Sequence, residues 1–163
     1  ELLFFENSYR EKVVAANKIR PILKAHMNIN FLLVNDPIRE KLKFINVPGF
    51  QLYPSIIIDD SEKYHEGFWL FNIYDESDFL NIDDCVIDYY DEDGDEHSIK
   101  KYSLDKRTLD KIPESNRLIF RPLRSDVGHT IIHKKVVDIL VALGADNLRF
   151  YQLSDWVKGN QFK

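Results

Sequence analysis

Apolar positions change their spacing several times along the chain, and each change predicts an element. Between Ser8 and Met27, Tyr9, Val13, Ala16 and Ile19 recur at intervals of three and four until Pro21 interrupts, which predicts a helix in two pieces with the second starting near Arg20. The short apolar run Asn30 to Val34 predicts a buried strand. Asn35-Asp36-Pro37 then predicts a helix to about Phe44, with Asp36 as N-cap and Pro37 in its first turn. Phe50 to Ile58 and Phe68 to Tyr74, rich in aromatic and β-branched residues, predict a hairpin across the polar DDSEKYHEG loop, with Pro54 marking an edge or a bulge. A second hairpin, Cys85 to Tyr90 with Ser98 to Tyr102, is predicted around the turn-forming pair Asp93-Gly94.

The later part of the chain alternates in the same way. Leu104 to Ile112 reads as a short helix or turn ended by Pro113, and Arg117 to Arg121 as a strand closed by Pro122. Thr130 to Leu143 has the clearest helical period, with Ile132, Val136, Ile139, Leu140 and Leu143 on one face, Lys134, Lys135 and Asp138 largely off it, and Gly144 as the stop. Leu148 to Leu153 reads as a last strand. Strands and helices interleave without a regular βαβ rhythm, so the expected fold is α+β: a single domain over residues 1–163 with a mainly antiparallel sheet and a few packed helices, residues 1–29 being a helical N-terminal segment.

Charge changes this picture. The chain of 163 residues has a net charge of −5, but Asp59 to Glu96 holds 15 acids against the single base Lys63, and the remainder holds 12 acids against 21 bases. A field of that kind speeds encounter with a basic partner and disfavours nucleic acid at the acidic face. The aromatics Tyr64, Phe68, Trp69, Phe71, Tyr74, Tyr89 and Tyr90 surround and interrupt the acidic block. About half are expected in the core by strand alternation, and the rest offer the rigid area in which interface energy concentrates. The candidate partner-binding surface is therefore Asp83, Asp84, Asp88, Tyr89, Tyr90, Asp91, Glu92, Asp93, Asp95 and Glu96.

Catalytic and metal chemistry finds less support in the residues. His129 and His133 have a metal-ligand spacing, yet Thr-Ile-Ile lies between them and no third ligand is marked. If Gly94 of DEDGDE is placed sixth in a calcium loop, Tyr89 and Lys100 fall at the positions that require an aspartate and a glutamate. The only thiol, Cys85, follows Asp83-Asp84, whose charge opposes thiolate formation. Glycine-rich phosphate loops and a strained serine elbow are missing from the sequence. The expectation is no catalytic residue, no metal and no cofactor. A hydrolase built on carboxylates of the acidic segment stays open as an alternative, as does an adaptor for an unrelated basic ligand. One cysteine and the lack of any long apolar run suggest a cytoplasmic protein that does not engage a membrane.

The succession FLLVNDPIREKL, LYPSIIID, YHEGFWLFNIYD, Asp83-Asp84, KYSLDKRTLDKI, NRLIFR and HKKVVDILVALG resembles the bacterial polymorphic-toxin immunity proteins, over residues 30–153. That resemblance implies an antitoxin that binds a cognate, basic secreted toxin and protects the producing cell. It implies no catalytic residues.

Overall fold

The computed structural model describes residues 2–28, 31–43, 49–74, 76–90 and 94–162. The chain is α+β with mainly antiparallel sheets, as its patterning predicts. It divides into two compact units: residues 1–45, 51–72 and 138–148 form the first, and residues 46–50, 73–137 and 149–163 the second.

The first unit opens with β1 (Leu3–Glu6), α1 (Arg10–Ala15), β2 (Ala25–Asn28), β3 (Phe31–Asn35), α2 (Asp36–Leu42), β4 (Phe50–Ile58) and β5 (Tyr64–Ile73). Its five strands lie in the order β1-β4-β5-β3-β2, with β1 parallel to β4, and β3 antiparallel to both β5 and β2. The second piece of the predicted N-terminal helix does not form. Asn17 turns left-handed (φ 52°), and the N–H groups of Asn17 and Lys18 close α1 on the carbonyls of Val14 and Val13. Arg20 then gives its backbone N–H to Asp60 (3.2 Å), which also takes the Asn7 amide (2.9 Å), so the chain runs on extended into β2. A buried carboxylate forty residues away thus redirects a segment whose local period reads as helix.

Asn35, one residue before the predicted cap, accepts from the Ile38 N–H (3.3 Å) and starts α2, which buries Ile38 and Leu42. β5 begins at Tyr64, inside the stretch read as loop, because the turn needs only Asp59–Lys63: the Asp59 carboxylate receives the N–H groups of Ser61 (2.8 Å) and Lys63 (3.0 Å). Pro54 lies in a strand with neighbours on both sides, yet β1 pairs with β4 only from Ser55 onward. On that flank the proline has no ladder bond to lose. Leu33, Ile57, Phe68 and Leu70 form a core cluster, with Leu3, Phe5 and Ile22 packed against it.

The second unit carries β6 (Glu76–Ser77), β7 (Val86–Tyr90), β8 (His97–Lys101), α3 (Lys106–Leu109), β9 (Ile119–Pro122) and β10 (Ile131–Ile132). β9 is central in a three-stranded sheet, parallel to β6 and antiparallel to β10, while β7 and β8 form an antiparallel hairpin. Leu80, Ile99, Tyr102 and Trp156 form one of its core clusters, lined by Ile82, Cys85, Ile87, Leu104 and Leu153. The strand expected at Leu148–Leu153 is absent. Gln152 instead accepts the N–H groups of Asp155 (2.9 Å) and Trp156 (3.0 Å) in a turn that puts Leu153 and Trp156 into this core.

The predicted helix over Thr130–Leu143 is shortened to α4 (Lys134–Ala142), since Ile131 and Ile132 pair with Phe120 and Ile119 as β10. The His133 ring accepts the Lys135 N–H (3.2 Å) and caps the helix. Gly144, at φ +87°, ends it as expected, with Ala145 N–H returning to the Leu140 carbonyl (3.0 Å). A Cβ at this position would lie 2.6 Å from Lys24 Nζ, a flexible atom that can move, so the backbone angle dominates the cost. Gly144→Ala is expected to lower unfolding free energy by about 1–2 kcal/mol in urea denaturation, and an unchanged midpoint would contradict this account of the stop.

Candidate functional site

The candidate surface belongs to the second unit and is organised by the two strands of its hairpin, which have opposite fates. β8 buries Ser98 and Ile99, and Tyr102 just beyond it is 5 % exposed. Both edges of β8 are engaged, because beyond β7 it exchanges bonds with the Arg124–Asp126 segment (His97 N–H to Arg124 O, 2.9 Å; Asp126 N–H to His97 O, 3.1 Å) and receives the Lys158 N–H on Lys100 O (2.8 Å). β7 is the outer strand. Val86, Asp88, Tyr89 and Tyr90 are exposed and only Ile87 turns toward the core. A bulge brings this about: Ile87 stands opposite Ile99 and Tyr89 opposite Ser98, so Asp88 is an extra residue that breaks strict alternation.

A hydrogen-bonded chain fixes the inner end of β8. Ser125 Oγ lies 3.1 Å from the Val127 carbonyl, which can only accept, so the serine donates there and in turn accepts from the Tyr102 hydroxyl at 2.8 Å. Tyr102 has then spent its proton and accepts from His129 Nδ1–H, also at 2.8 Å. The imidazole packs edge-on against Tyr102 and Trp156, and burial holds it below its ordinary range, while burial also pushes the Tyr102 phenol up. His129 therefore does not share a helix with His133, as the metal-ligand reading of their spacing required. It precedes β10, whereas His133 caps α4.

The acidic block does not act as one body of charge. Asp59, Asp60, Glu62 and Glu66 belong to the first unit, where three of them are engaged locally. His65 binds Asp59 (2.7 Å), which together with the turn N–H groups holds that carboxyl below its usual range; Asp60 is buried; Arg10 pairs with Glu62 (2.7 Å). In the second unit Arg124 grips Asp78 through Nε (2.9 Å) and Nη2, and Arg121 lies 4.0 Å from Glu76. Asp84 receives the Asn81 amide (2.5 Å). Asp88 is held by Lys158 (2.9 Å), which lowers its carboxyl and also reaches Ser98 Oγ (2.7 Å).

What remains is narrower than the predicted surface. Asp83, Asp95 and Glu96 are exposed and form no ion pair among the described residues, while Tyr89 and Tyr90 are 67 % and 55 % exposed, the Tyr90 ring meeting His97 edge-on. The candidates Asp91, Glu92 and Asp93, which are the first half of the DEDGDE segment and include the first residue of the turn expected at Asp93-Gly94, lie outside the described residues. Of the other aromatics, Phe68 and Phe71 are buried, and Tyr64 and Tyr74 are exposed. Trp69 gives its indole N–H to Asp36 (2.6 Å) beneath the Arg39 guanidinium, 4.2 Å from the ring. Cys85 is half-buried against Ser103, and its thiol is raised first by burial and only last by Asp84, so the carboxylate effect expected from its neighbours is real but minor.

Sequence reasoning missed Lys158, Arg124, His97, Tyr102 and His129 as the groups that hold the hairpin. Lys158 is 70 residues from Asp88, and no local pattern marks such a pair. No helix among the described residues is long and apolar enough to cross a membrane. No protein-family model matches the chain, and no curated protein is significantly similar to it.

Burial of His129 makes the fold sensitive to acid. Its folded-state titration lies below the ordinary value, so protons bind the unfolded chain more readily and stability falls as pH drops from about 6.5 through the folded value. His26, lowered by burial in the first unit, acts in the same direction, so the comparison with His129→Gln isolates one group. The variant is expected to be less stable at neutral pH and to lose less on acidification. Parallel stability profiles for the two proteins would rule out a desolvated His129.

Proposed function

We propose that this chain is an immunity-type inhibitor that neutralises a basic secreted toxin by direct binding, using the β7 face of the hairpin with its flanking carboxylates. The observation that supports this most is the exposure of Tyr89 and Tyr90 on an outer strand while their partner strand buries Ser98 and Ile99. Tyrosine brings large rigid area with few rotors, and such side chains concentrate binding energy when a partner covers them. Asp83, Asp95 and Glu96 are exposed and form no ion pair among the described residues, so their charge is available to steer a positive surface toward those rings. The resemblance in residues 30–153 is what points to a toxin as the partner, and the exposure of Tyr89 and Tyr90 is what supports this surface as its contact.

A carboxylate hydrolase is supported less. General-acid catalysis needs a carboxyl raised toward neutrality. Among the described residues, the carboxyls with displaced titrations are Glu40, Asp59, Asp88, Asp105 and Glu114, and all move downward, each led by a side-chain hydrogen bond. The polar cleft lined by Glu76, Glu96, Arg121, Arg124 and Asp126 has a volume of about 90 Å³, well under the roughly 300 Å³ at which small-molecule sites begin.

The chain is expected to co-purify with the product of a neighbouring toxin gene and to abolish its activity. Neutralising Asp83, Asp84, Asp95 and Glu96 to Asn or Gln should slow association by about tenfold at low salt and flatten its salt dependence. Tyr89→Ala should instead shorten the lifetime of the complex by about tenfold or more. Stopped-flow association and dissociation rates separate the two, and a complex indifferent to all five positions would show that the toxin binds elsewhere.

A further inference from the structure

β7 is the outer member of the smallest sheet in the molecule. Among the described residues, the backbone of Val86–Tyr90 pairs only with β8, whereas β8 is bonded along both edges. A two-stranded ribbon is marginal by itself and gains most from a third strand. Natural edge strands are commonly blunted by lysine, proline or cover. β7 has neither lysine nor proline, and Val86, Tyr89 and Tyr90 are 47 %, 67 % and 55 % exposed. Its guards are the bulge at Asp88 and nearby charge, with Asp83 and Asp84 preceding β7 and Asp95 and Glu96 preceding β8.

Those charges select the occupant. A second copy laid antiparallel along the same edge would bring the flanking carboxylates Asp83, Asp84, Asp95 and Glu96 of both chains together, and like charges across a strand pair are destabilising. A strand carrying lysine or arginine at alternate positions meets the reverse situation, with its apolar positions free to cover Tyr89 and Val86. We propose that the open edge of β7 receives an extended basic segment of the partner protein as a third strand. This rests on the reading of the chain as an inhibitor of a basic protein, and it names the mode of contact: main-chain hydrogen bonds for affinity, and alternate side chains for selection.

The probe is a synthetic peptide of about ten residues alternating lysine and valine, the length of an ordinary strand, titrated into the full-length, isotopically labelled chain. Its counterpart alternates glutamate and valine. With the basic peptide, amide exchange within Val86–Tyr90 should slow by about tenfold or more, since a bonded amide must open before it exchanges, and cross-strand contacts from β7 to the peptide should appear. The acidic peptide should do neither. Tyr89→Lys places a cation on an exposed position of the edge and should weaken the basic peptide, while unchanged protection of β8 amides reports that the hairpin still folds. Binding with β7 exchange unaltered, protection confined to another strand, equal response to both peptides, or no binding overturns strand addition.

The same exchange measurement on a complex with the captured toxin keeps the two claims apart. A stable complex whose β7 amides stay unprotected overturns strand addition and leaves the immunity reading standing. Failure to form any complex overturns the immunity reading, and the peptide titration still reports on the edge.

Discussion

The second unit depends on the burial of Ile99 and Tyr102 beside Leu80 and Trp156. Those side chains leave one end of the hairpin no freedom to turn its other face inward. With β8 committed to the core and bonded on both edges, β7 has to lie outside, and the tyrosines it carries are exposed by construction. Ser125 and His129 reinforce this through Tyr102, whose hydroxyl would otherwise be a buried polar group without a partner and would cost about 1–3 kcal/mol. Lys158 adds a second tie by reaching both Asp88 on β7 and Ser98 on β8. An exposed pair of this kind contributes about 1 kcal/mol or less, so it sets position more than stability.

Charge follows from that frame. Read along the chain, Asp59 to Glu96 is one block of negative charge; in the fold it is divided between two units, and much of it is spent. Asp60 organises the N-terminal segment, Asp59 builds a turn, and Glu62, Asp78 and Asp88 are neutralised by cations from distant positions. Among the described residues, the exposed acids of this block that form no ion pair are Glu66 in the first unit and Asp83, Asp84, Asp95 and Glu96 around the hairpin. A few unpaired charges beside rigid aromatic rings steer and anchor better than a diffuse acidic surface, because steering needs field and residence needs desolvated area.

Much of this was legible in the residues where local physics decides. The turn around Asp59, the α2 start, the hairpin strands and the Gly144 stop follow from capping, β-propensity and the left-handed tolerance of glycine. The misreadings share a cause, which is a distant partner overruling a local period. Arg20 is captured by Asp60, Ile131 and Ile132 are taken by β9, and Gln152 folds back so that Trp156 can fill the core. The candidate surface was legible in outline, since alternating aromatics and acids mark a half-exposed strand. Which acids stay unpaired was not, because Lys158 and Arg124 lie 70 and 46 residues from the carboxylates they neutralise.

The central claim is that the partner covers the carboxylates around this hairpin and leaves those of the first unit open. Carbodiimide labelling of exposed carboxyls, read by peptide mass spectrometry on the free chain and on its complex with the proposed toxin partner, tests it directly. Asp83, Asp84, Asp95 and Glu96 should be shielded in the complex while Glu62 and Glu66 label as before. Shielding at Glu62 and Glu66 with the hairpin acids still reactive would contradict the account.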